Sequence, residues 1–388
     1  MKSEWTYRPL GELVSFASGG TPSKKRDDYW DGTIPWISAK TLKTENIDTS
    51  DLFITEEGLK AGSKIAPKGS ILLLTRGSGL FNGIPIARVE KDVAFNQDIK
   101  CLDSYGEVEN EFIFYWLLSQ KDYLMAKVGV TGIGAGKFDL DFLQKLMIPI
   151  PSERERKSIV GFASSISEKI RCNAKVNDNL EQQAAALFSS LYNRSNTEVR
   201  YTDLIQILGG GTPKTGETAY WNGNIAFFTP KDVGTPYTFI TEKTITEEGL
   251  SHCNSRLYPV NTVFVTARGT VGKVGLSGIP MAMNQSCYAL VGKETHQLLV
   301  YFYTLKAVDR LKHKASGAVF DAITTRDFDS EQIMKLSDDD AKAFLCVAEP
   351  MFQEMLNNSI ENLRLSTLRD FLLPKLMSGE IDVSSVQL

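Results

Sequence analysis

The sequence is poor in the residues that hold metal ions or form disulfide bonds. It contains three histidines and five cysteines, and the cysteines are scattered without any CxxC pair. Structural zinc sites need clustered Cys and His ligands, and disulfide frameworks need paired cysteines. We therefore expect neither a disulfide nor a bound metal in this chain.

Long apolar runs are also missing. No run approaches the roughly 20 residues that a membrane span needs, and the segment from Met1 to Trp5 has no apolar signal-peptide core. We therefore expect a cytoplasmic protein. With 388 residues, 42% of them hydrophobic and 23% charged, the chain is typical of a globular protein with two or three domains. The net charge of −4 counts mildly against nucleic-acid binding but leaves room for a local basic groove.

The motifs of common catalytic centres are absent as well. No proline is followed by another proline, which excludes the Asn/Asp-Pro-Pro-aromatic motif of amino-methyltransferases, and no GxSxG segment is present. The loop at 209–215 resembles a phosphate loop only weakly, because it lacks the GK[ST] ending and Pro213 removes a backbone amide. We therefore predict a chain without catalytic or cofactor-binding residues.

What the sequence does contain is a repeat at a constant offset of 191 residues. Gly20-Thr21-Pro22, Tyr29-Trp30 and Lys40 return as Gly211-Thr212-Pro213, Tyr220-Trp221 and Lys231. The pentapeptide at 55–59 returns at 246–250, and Arg76-Gly77 and Asn96-Gln97 return as Arg268-Gly269 and Asn284-Gln285. A period of half the chain is too long for a solenoid, so it indicates two copies of one domain.

Each copy has short apolar runs separated by Gly, Pro and Asn, followed by one helical segment. The expected strands include residues 10–16 and 70–75 in the first copy and 204–208 and 281–289 in the second. An aromatic-rich helix follows in each copy. The pattern predicts two α+β domains of roughly 150 residues each.

Two segments have a different pattern, with apolar residues at 4-3 spacing. In the first segment, they are Ile159, Ala163, Ile166, Ile170, Leu180, Ala184, Leu187 and Leu191. In the second segment, they are Phe344, Ala348, Met351, Met355, Leu365, Leu372 and Leu376. Such spacing is typical of a coiled-coil seam.

Each seam is interrupted near its centre by two asparagines. If the helices pack antiparallel, Asn173 and Asn177 lie opposite Asn362 and Asn358 and fix the register. We predict one antiparallel coiled coil; the alternative is two separate amphipathic helices, each packed on its own domain. Pro350 predicts either a kink or a later start of the second helix.

The repeat also concentrates residues that suit DNA contacts, namely hydroxyls and cations in loops and arginines at strand ends. The candidate DNA-binding residues are Thr21, Ser23, Lys24, Lys25, Arg26, Lys40 and Arg76 in the first copy, and Thr212, Lys214, Thr215, Lys231 and Arg268 in the second.

Each candidate has a structural alternative. The loops can be solvated turns, the lysines can protect a sheet edge, and the arginines can pair with acidic residues of their own domain. We expect Asn96-Gln97 and Asn284-Gln285 to be structural, and the Tyr-Trp pairs to belong to the domain cores. Sequence specificity should lie where the copies differ, at 41–54 against 233–244 and at 129–137 against 317–325.

The order of domain, heptad helix, domain and heptad helix resembles the specificity (S) subunits of type I restriction–modification enzymes. The Gly-Gly-Thr-Pro…Tyr-Trp…Gly segment resembles the start of their recognition domains, and residues 368–381 closely resemble the end of their second conserved helix. Pro350 and the acidic run at 338–340 depart from the family pattern. The predicted segments are 1–151 and 197–337 as target-recognition domains, and 152–196 and 338–388 as the conserved helices.

The resemblance implies a non-catalytic subunit of a restriction endonuclease and adenine-N6 methyltransferase assembly. Each recognition domain would read one half of a bipartite DNA site, and the helices would set the spacer and dock two methyltransferase (M) subunits. S-adenosylmethionine, ATP and Mg would lie on partner subunits, including the restriction (R) subunits. The alternative is a modification-only specificity subunit that works without a nuclease.

Overall fold

The computed structural model describes residues 5–132, 134–234, 236–314 and 322–383. The chain forms two compact units: unit 1 contains Met1–Ile170 and Leu363–Leu388, and unit 2 contains Arg171–Asn362. Each unit has its own apolar core. None of the helices in the described ranges combines the length and apolar character needed to cross a membrane.

Both units contain many short strands. In unit 1 they are β1 (Thr6–Pro9), β2 (Val14–Ser18), β3 (Trp30–Ile37), β4 (Asn46–Ile47), β5 (Phe53–Ile54), β6 (Lys64–Ala66), β7 (Ile71–Leu74), β8 (Arg76–Gly77), β9 (Ile86–Val89), β10 (Val93–Phe95), β11 (Ile99–Ser104), β12 (Gly129–Val130), β13 (Gly136–Lys137) and β14 (Met147–Ile150). In unit 2 they are β15 (Thr197–Arg200), β16 (Ile205–Gly209), β17 (Trp221–Phe228), β18 (Tyr237–Thr238), β19 (Lys243–Ile245), β20 (Val263–Thr266), β21 (Val274–Ser277), β22 (Met281–Met283), β23 (Cys287–Gly292) and β24 (Gln332–Lys335).

The helices are mostly short, apart from two. They are α1 (Leu10–Leu13), α2 (Glu56–Gly62), α3 (Asn110–Ser119), α4 (Lys121–Met125), α5 (Leu140–Gln144), α6 (Glu153–Arg194), α7 (Tyr201–Leu204), α8 (Glu247–Ser251), α9 (Gln297–Lys314), α10 (Thr325–Ser330) and α11 (Asp338–Met377). Short 3-10 turns lie at Asp27–Tyr29, Ser78–Phe81 and Thr218–Tyr220.

The two units repeat one sheet topology. The main sheet of unit 1 has the order β2-β11-β7-β9-β4, and that of unit 2 has the order β16-β23-β20-β21-β18. A second sheet follows the same rule, with β5-β3-β10 in unit 1 corresponding to β19-β17-β22 in unit 2. Each unit also has a two-stranded sheet, β1-β14 or β15-β24. The repeat in sequence is therefore a repeat of fold.

The repeated pentapeptide has a structural origin. Thr55 begins α2 and its hydroxyl accepts the amide of Gly58 at 3.1 Å, while Thr246 begins α8 and accepts the amide of Gly249 at 3.0 Å. Two glutamates follow in the first turn of each helix, where a negative charge interacts favourably with the positive end of the helix dipole. A Cβ on either glycine would lie 2.4 Å from a tyrosine carbonyl oxygen, so the turn requires glycine.

Two of the expected strands differ in detail from the structure. Residues 10–16 begin with the helical turn α1, because Leu10 and Leu13, three positions apart, share one buried face. The segment 281–289 forms two strands, β22 and β23, separated by a turn at 284–286. In that turn the amide of Ser286 donates to Oδ1 of Asn284, which competes with strand pairing.

The helices α6 and α11 form the antiparallel coiled coil that the heptads predict. They contain 42 and 40 residues. In unit 1, Ile159 and Ala163 of α6 share a buried cluster with Leu373 and Leu376 of α11. In unit 2, the first part of α11 and the last part of α6 share another cluster, in which Phe188 packs edge-on against Phe344 at 5.5 Å. Two separate helices are therefore excluded.

Pro350 neither ends α11 nor delays its start, so the expected later start of this helix was wrong. The helix begins at Asp338, where the Ser337 hydroxyl accepts the amide of Asp340 at 3.1 Å and three aspartates occupy the first turn. Pro350 lies on an exposed side of the helix, as does Cys346, whose carbonyl is the one left without its helical donor. Solvent can hydrate that carbonyl. Phe344, before Pro350, and Phe352, after it, both pack into the core of unit 2 and hold the helix in place.

The four seam asparagines pair across the two helices. Asn173 donates to Oδ1 of Asn362 at 2.9 Å, and Asn358 donates to Oδ1 of Asn177 at 2.9 Å. Asn177 also donates to the carbonyl of Met355 at 3.2 Å. This is the pairing that an antiparallel register requires, because a shifted register would leave buried amides without partners.

Replacing Asn177 by alanine is expected to destabilise the coiled coil by about 1–3 kcal/mol, because Asn358 is 7% exposed and would lose its acceptor. Urea unfolding followed by circular dichroism at 222 nm measures this loss. The paired change Asn177→Leu with Asn358→Leu should cost less than the single change, since it removes both polar partners together. Equal losses in both variants would contradict the role of the pair.

Candidate nucleic-acid interface

The candidate residues of unit 1 follow the carboxyl ends of four strands. β2 and β7 both pair antiparallel with β11 and so run in one direction, while β3 and β10 are parallel neighbours. The carboxyl ends of β2 and β7 therefore lie at one edge of the main sheet, and those of β3 and β10 lie at one edge of the second sheet. The segments that follow these ends carry Thr21 to Arg26, Lys40 and Arg76.

Hydrogen bonds join these segments through the turn at 96–98. The Thr21 hydroxyl donates to Oε1 of Gln97 at 2.7 Å, the Arg76 amide donates to the carbonyl of Asp98 at 3.2 Å, and the Asn96 amide donates to the carbonyl of Ile37 at 2.9 Å. We call residues 20–26, 38–41, 76–77 and 96–98 together the strand-end surface of unit 1.

Unit 2 has the same connections. The Thr212 hydroxyl donates to Oε1 of Gln285, the Arg268 amide donates to the carbonyl of Ser286 at 3.2 Å, and the Asn284 amide donates to the carbonyl of Phe228 at 3.0 Å. Residues 211–216, 229–233, 268–269 and 284–286 are the strand-end surface of unit 2. The amide residues Gln97 and Gln285 thus connect loops, as the structural alternative expected.

The repeated glycines and tryptophans fix the first loop of each surface. A Cβ on Gly20 would lie 1.9 Å from the carbonyl oxygen of Gly62, so only glycine allows this approach. The indole of Trp30 donates to the carbonyl of Ser23 at 3.2 Å, and that of Trp221 donates to the carbonyl of Lys214 at 3.1 Å. Both tryptophans are half-buried, so they hold the loops and are not fully inside the cores.

The predicted cations are exposed, but they differ in their partners. Arg26 forms a double hydrogen bond with Asp28, at 2.8 and 2.7 Å, and these bonds raise the pKa of Arg26 above its ordinary value. Lys231 lies 3.3 Å from Glu242, with both side chains largely exposed, which makes the pair weak. No ion pair within the described ranges involves Arg76 or Arg268.

The remaining candidates are polar side chains at the same loops. Thr212 is half-buried, and the others are exposed: Thr21, Ser23, Lys24, Lys25, Lys40, Lys214 and Thr215. All lie on one of the two strand-end surfaces.

In unit 2 the loops enclose a cleft of about 340 Å³. Lys231, Lys243 and Arg268 line it together with Asn284 and Ser286. Glu242 is an acidic residue of the lining. Three cations beside amide and hydroxyl groups suit a phosphate or the edge of a base. Lys243 was missed from the sequence, although it lies within the divergent segment 233–244.

The comparison with known families agrees with this geometry. A family model described as the type I restriction modification DNA specificity domain matches residues 2–182 and 193–335, which is more than half of the chain. The chain belongs to this family. Members are DNA-recognition subunits and not catalytic ones, so the chain is a type I specificity subunit with two recognition domains.

Individual specificity subunits are similar over different lengths. The chain is 23% identical over 416 residues to the type I restriction enzyme MjaIX specificity subunit of Methanocaldococcus jannaschii, which covers 99% of this chain and 95% of that protein. It is 31% identical over 161 residues to the EcoR124I/EcoR124II specificity subunit of Escherichia coli, which covers 41% of this chain and 40% of that protein.

A solved structure shares the fold. The crystal structure of the type I restriction–modification S subunit from M. genitalium matches with a TM-score of 0.55 and 17% sequence identity, over 96% of each chain. The two-domain α+β architecture with long helices is thus the fold of this specificity subunit.

The segments where the copies diverge lie beside the strand-end surfaces. Residues 41–54 of unit 1 directly follow Lys40, and 233–244 follow Lys231. The segment 129–137 pairs with the Arg76 strand, since β13 pairs antiparallel with β8. In its counterpart, 317–325, residues 317–321 lie outside the part of the chain that the structure describes.

Proposed function

We propose that each unit of this specificity subunit reads one half of a bipartite DNA site through its strand-end surface. The observation that carries the proposal is that one loop scaffold occurs twice with different side chains. The same threonine-to-glutamine bond and the same arginine position recur, while the neighbouring loops differ. A shared scaffold with divergent loops suits two readers of two sequences.

The chemistry of the surfaces supports DNA as the ligand. Exposed lysines and hydroxyls suit phosphate oxygens, and an arginine at a strand end can form two hydrogen bonds with guanine. Arg76 and Arg268 occupy equivalent positions and are exposed. The net charge of −4 for the whole chain is compatible with this role, because the cations gather locally and partner subunits would share the DNA.

The helices are proposed as the ruler that sets the spacer between half-sites. Their length is about 60 Å at 1.5 Å per residue, and paired asparagines oppose any shift of one helix along the other. The conserved helices would also dock two M subunits. S-adenosylmethionine for adenine-N6 methylation, and ATP and Mg for R subunits, would be bound by those partners. The modification-only form, without R subunits, is the alternative.

Selection of DNA by the complex with its M subunit tests the proposal. The purified complex is incubated with a pool of duplexes that carry a randomised region of about 30 base pairs, and the bound fraction is sequenced after several rounds. We expect one motif with two defined halves and a constant gap. Enrichment of a single uninterrupted motif would contradict the two-reader proposal.

The two arginines are expected to affect different halves of the site. Arg76→Ala should weaken discrimination at the half-site of unit 1, and Arg268→Ala at the half-site of unit 2, each by about 1–3 kcal/mol or roughly 5- to 150-fold. Binding to duplexes with one base changed in either half measures both effects. Arg154→Ala is the control, because Arg154 is exposed on α6, outside both surfaces. Loss of both halves from one substitution would indicate a folding defect.

A further inference from the structure

Leu52 of unit 1 and Lys243 of unit 2 occupy equivalent positions, 191 residues apart, but differ in chemistry. The backbone around them is the same in both units. The Trp36 amide donates to the carbonyl of Leu52 at 2.8 Å, and Phe227, which is equivalent to Trp36, pairs with Lys243 in the register of β17 and β19. The two copies therefore present an apolar and a cationic side chain from one place in the fold.

Both positions lie beside the strand-end surface of their unit. Leu52 directly precedes β5, and Lys243 begins β19. These strands pair antiparallel with β3 and β17, so the two residues lie beside the carboxyl ends that lead into the loops of Lys40 and Lys231. In unit 2, Lys243 lines the cleft together with Lys231 and Arg268.

The charges that accompany this position are retained between the copies. They are Lys40, Asp51 and Arg76 in unit 1, and Lys231, Glu242 and Arg268 in unit 2. Contacts to phosphates carry no sequence information, so two readers of different sequences can keep the same cations for them. A change from an apolar to a cationic side chain instead alters which base edge is favoured. The difference between Leu52 and Lys243 therefore indicates base reading.

The Lys243 ammonium is placed at the surface without a partner that would occupy it. Its nitrogen lies 5.6 Å from the centroid of the Trp221 ring, and the Trp221 indole donates to the carbonyl of Lys214 at 3.1 Å. Within the described ranges the ammonium forms no ion pair, whereas Lys231 lies 3.3 Å from Glu242. Its donors can therefore bind the O6 and N7 acceptors of guanine in the major groove.

Leu52 offers the opposite chemistry at the equivalent position. Its side chain is 41% exposed, whereas Ile54, two residues further along the chain, is fully buried. A leucine donates no hydrogen bond to guanine, but it can pack against the C5-methyl group that thymine presents in the major groove. The two side chains therefore suit different base pairs.

We propose that Leu52 and Lys243 are specificity-determining residues, each facing one base pair in the half-site of its own unit. Lys243 donates to a guanine, and Leu52 contacts the methyl group of a thymine. The inference rests on the proposed function, because it names a residue in each unit by which the two readers distinguish their sequences.

Reciprocal substitutions test the pair. Leu52→Lys and Lys243→Leu exchange the two side chains and leave the backbone hydrogen bonds at both positions available. Each complex with M is passed through selection from the randomised pool, and its binding to duplexes with each base pair at every position of both halves is then measured. We expect Lys243→Leu to lower the preference for guanine at one position of the unit 2 half-site by roughly fivefold or more.

The other half-site is an internal control for each variant. Leu52→Lys should lower the preference for thymine at one position of the unit 1 half-site, and neither variant should change the half read by the other unit. Tyr105→Lys adds a cation at a residue that is 66% exposed and follows β11. Because β11 runs opposite to β7, Tyr105 lies at the other end of the main sheet, and its variant should keep both halves.

Two results would overturn the inference and leave the proposed function intact. One is a uniform loss of affinity over all duplexes in Lys243→Leu, with a salt dependence reduced by about one charge, which would assign Lys243 to a phosphate. The other is unchanged discrimination at every position in both variants. Absence of sequence-specific binding by the wild-type complex would overturn the proposed function as well.

Discussion

Removing one heptad from each long helix is expected to shorten the gap between the half-sites by up to about three base pairs. Seven residues correspond to about 10 Å of helix, and one base pair to 3.4 Å of DNA. Residues 170–176 and 359–365 are suitable, because they are paired across the seam and their loss retains the Asn177–Asn358 pair. Both half-site sequences should remain as they are, since the strand-end surfaces are untouched.

The gap is read from the motif that each complex methylates in cells. A length-preserving control replaces exposed residues of the same heptad, Cys172→Ala with Lys175→Ala, and should keep the original gap. A shorter gap in the deletion alone would support the ruler. An unchanged gap in a folded deletion variant would contradict it, because the distance would then be set elsewhere.

Replacing Arg369 by methionine is expected to destabilise unit 1 by about 1–3 kcal/mol, because charged hydrogen bonds are lost while the half-buried Glu45 keeps Lys121 as a partner. The Arg369 side chain is 7% exposed, and its guanidinium contacts Glu45 through two nitrogens at 2.6 and 3.0 Å. It also donates to the Ser167 hydroxyl at 3.2 Å. The arginine thereby joins α11 to the first divergent segment, which contains Glu45.

Urea unfolding followed by tryptophan fluorescence reports mainly on unit 1. Trp5, Trp30, Trp36 and Trp116 belong to unit 1, and only Trp221 belongs to unit 2. The control Arg364→Met removes an exposed arginine of the same helix and should change stability little. The double variant with Glu45→Met should be more stable than Arg369→Met alone, because it also removes the half-buried carboxylate, whose remaining partner would be Lys121. A loss below about 1 kcal/mol for Arg369→Met would contradict this role.

The same pair makes the stability of unit 1 sensitive to acid. Burial alone would raise the pKa of Glu45, but the charges and hydrogen bonds of Arg369 and Lys121 outweigh it and lower the pKa below its ordinary value. The stabilisation is therefore fully present above the unfolded pKa of about 4.3 and is lost as the pH falls through the folded pKa. Glu45→Gln should flatten this decline.

Local and periodic signals made much of the fold predictable from the sequence. The repeated pentapeptide begins a helix in both units because its threonine caps the first turn, and this interaction lies within four residues. The heptads predicted a coiled coil, because their spacing places the apolar residues on one face of each helix. Once the helices are taken as antiparallel, the central asparagines of one helix must lie opposite those of the other, so the sequence also predicted which residues pair. The later helix start inferred from Pro350 was wrong, because the helix is capped at Ser337 and packs through Phe344 before the proline, and a rule about one proline ignores both.

Long-range contacts at the candidate interface were not predictable in this way. Lys137 lies beside Arg76 only because β13 pairs with β8. Arg369 and Glu45 are separated by 324 residues. Neither pairing leaves a periodic or local pattern, so the sequence indicated only that 41–54 and 129–137 diverge between copies. The DNA contacts of Arg76 and Arg268 are proposals that their alanine variants test.

Mapping of methylated adenines tests the central claim most directly. The chain is co-expressed with its M subunit in a host without adenine methylation, and modified positions are located across the genome by single-molecule sequencing. Two recognition domains on one ruler predict a single motif with two defined halves, one constant gap and a methylated adenine in each half. Modified adenines that share only one half-site, or that occur with variable gaps, would contradict the account.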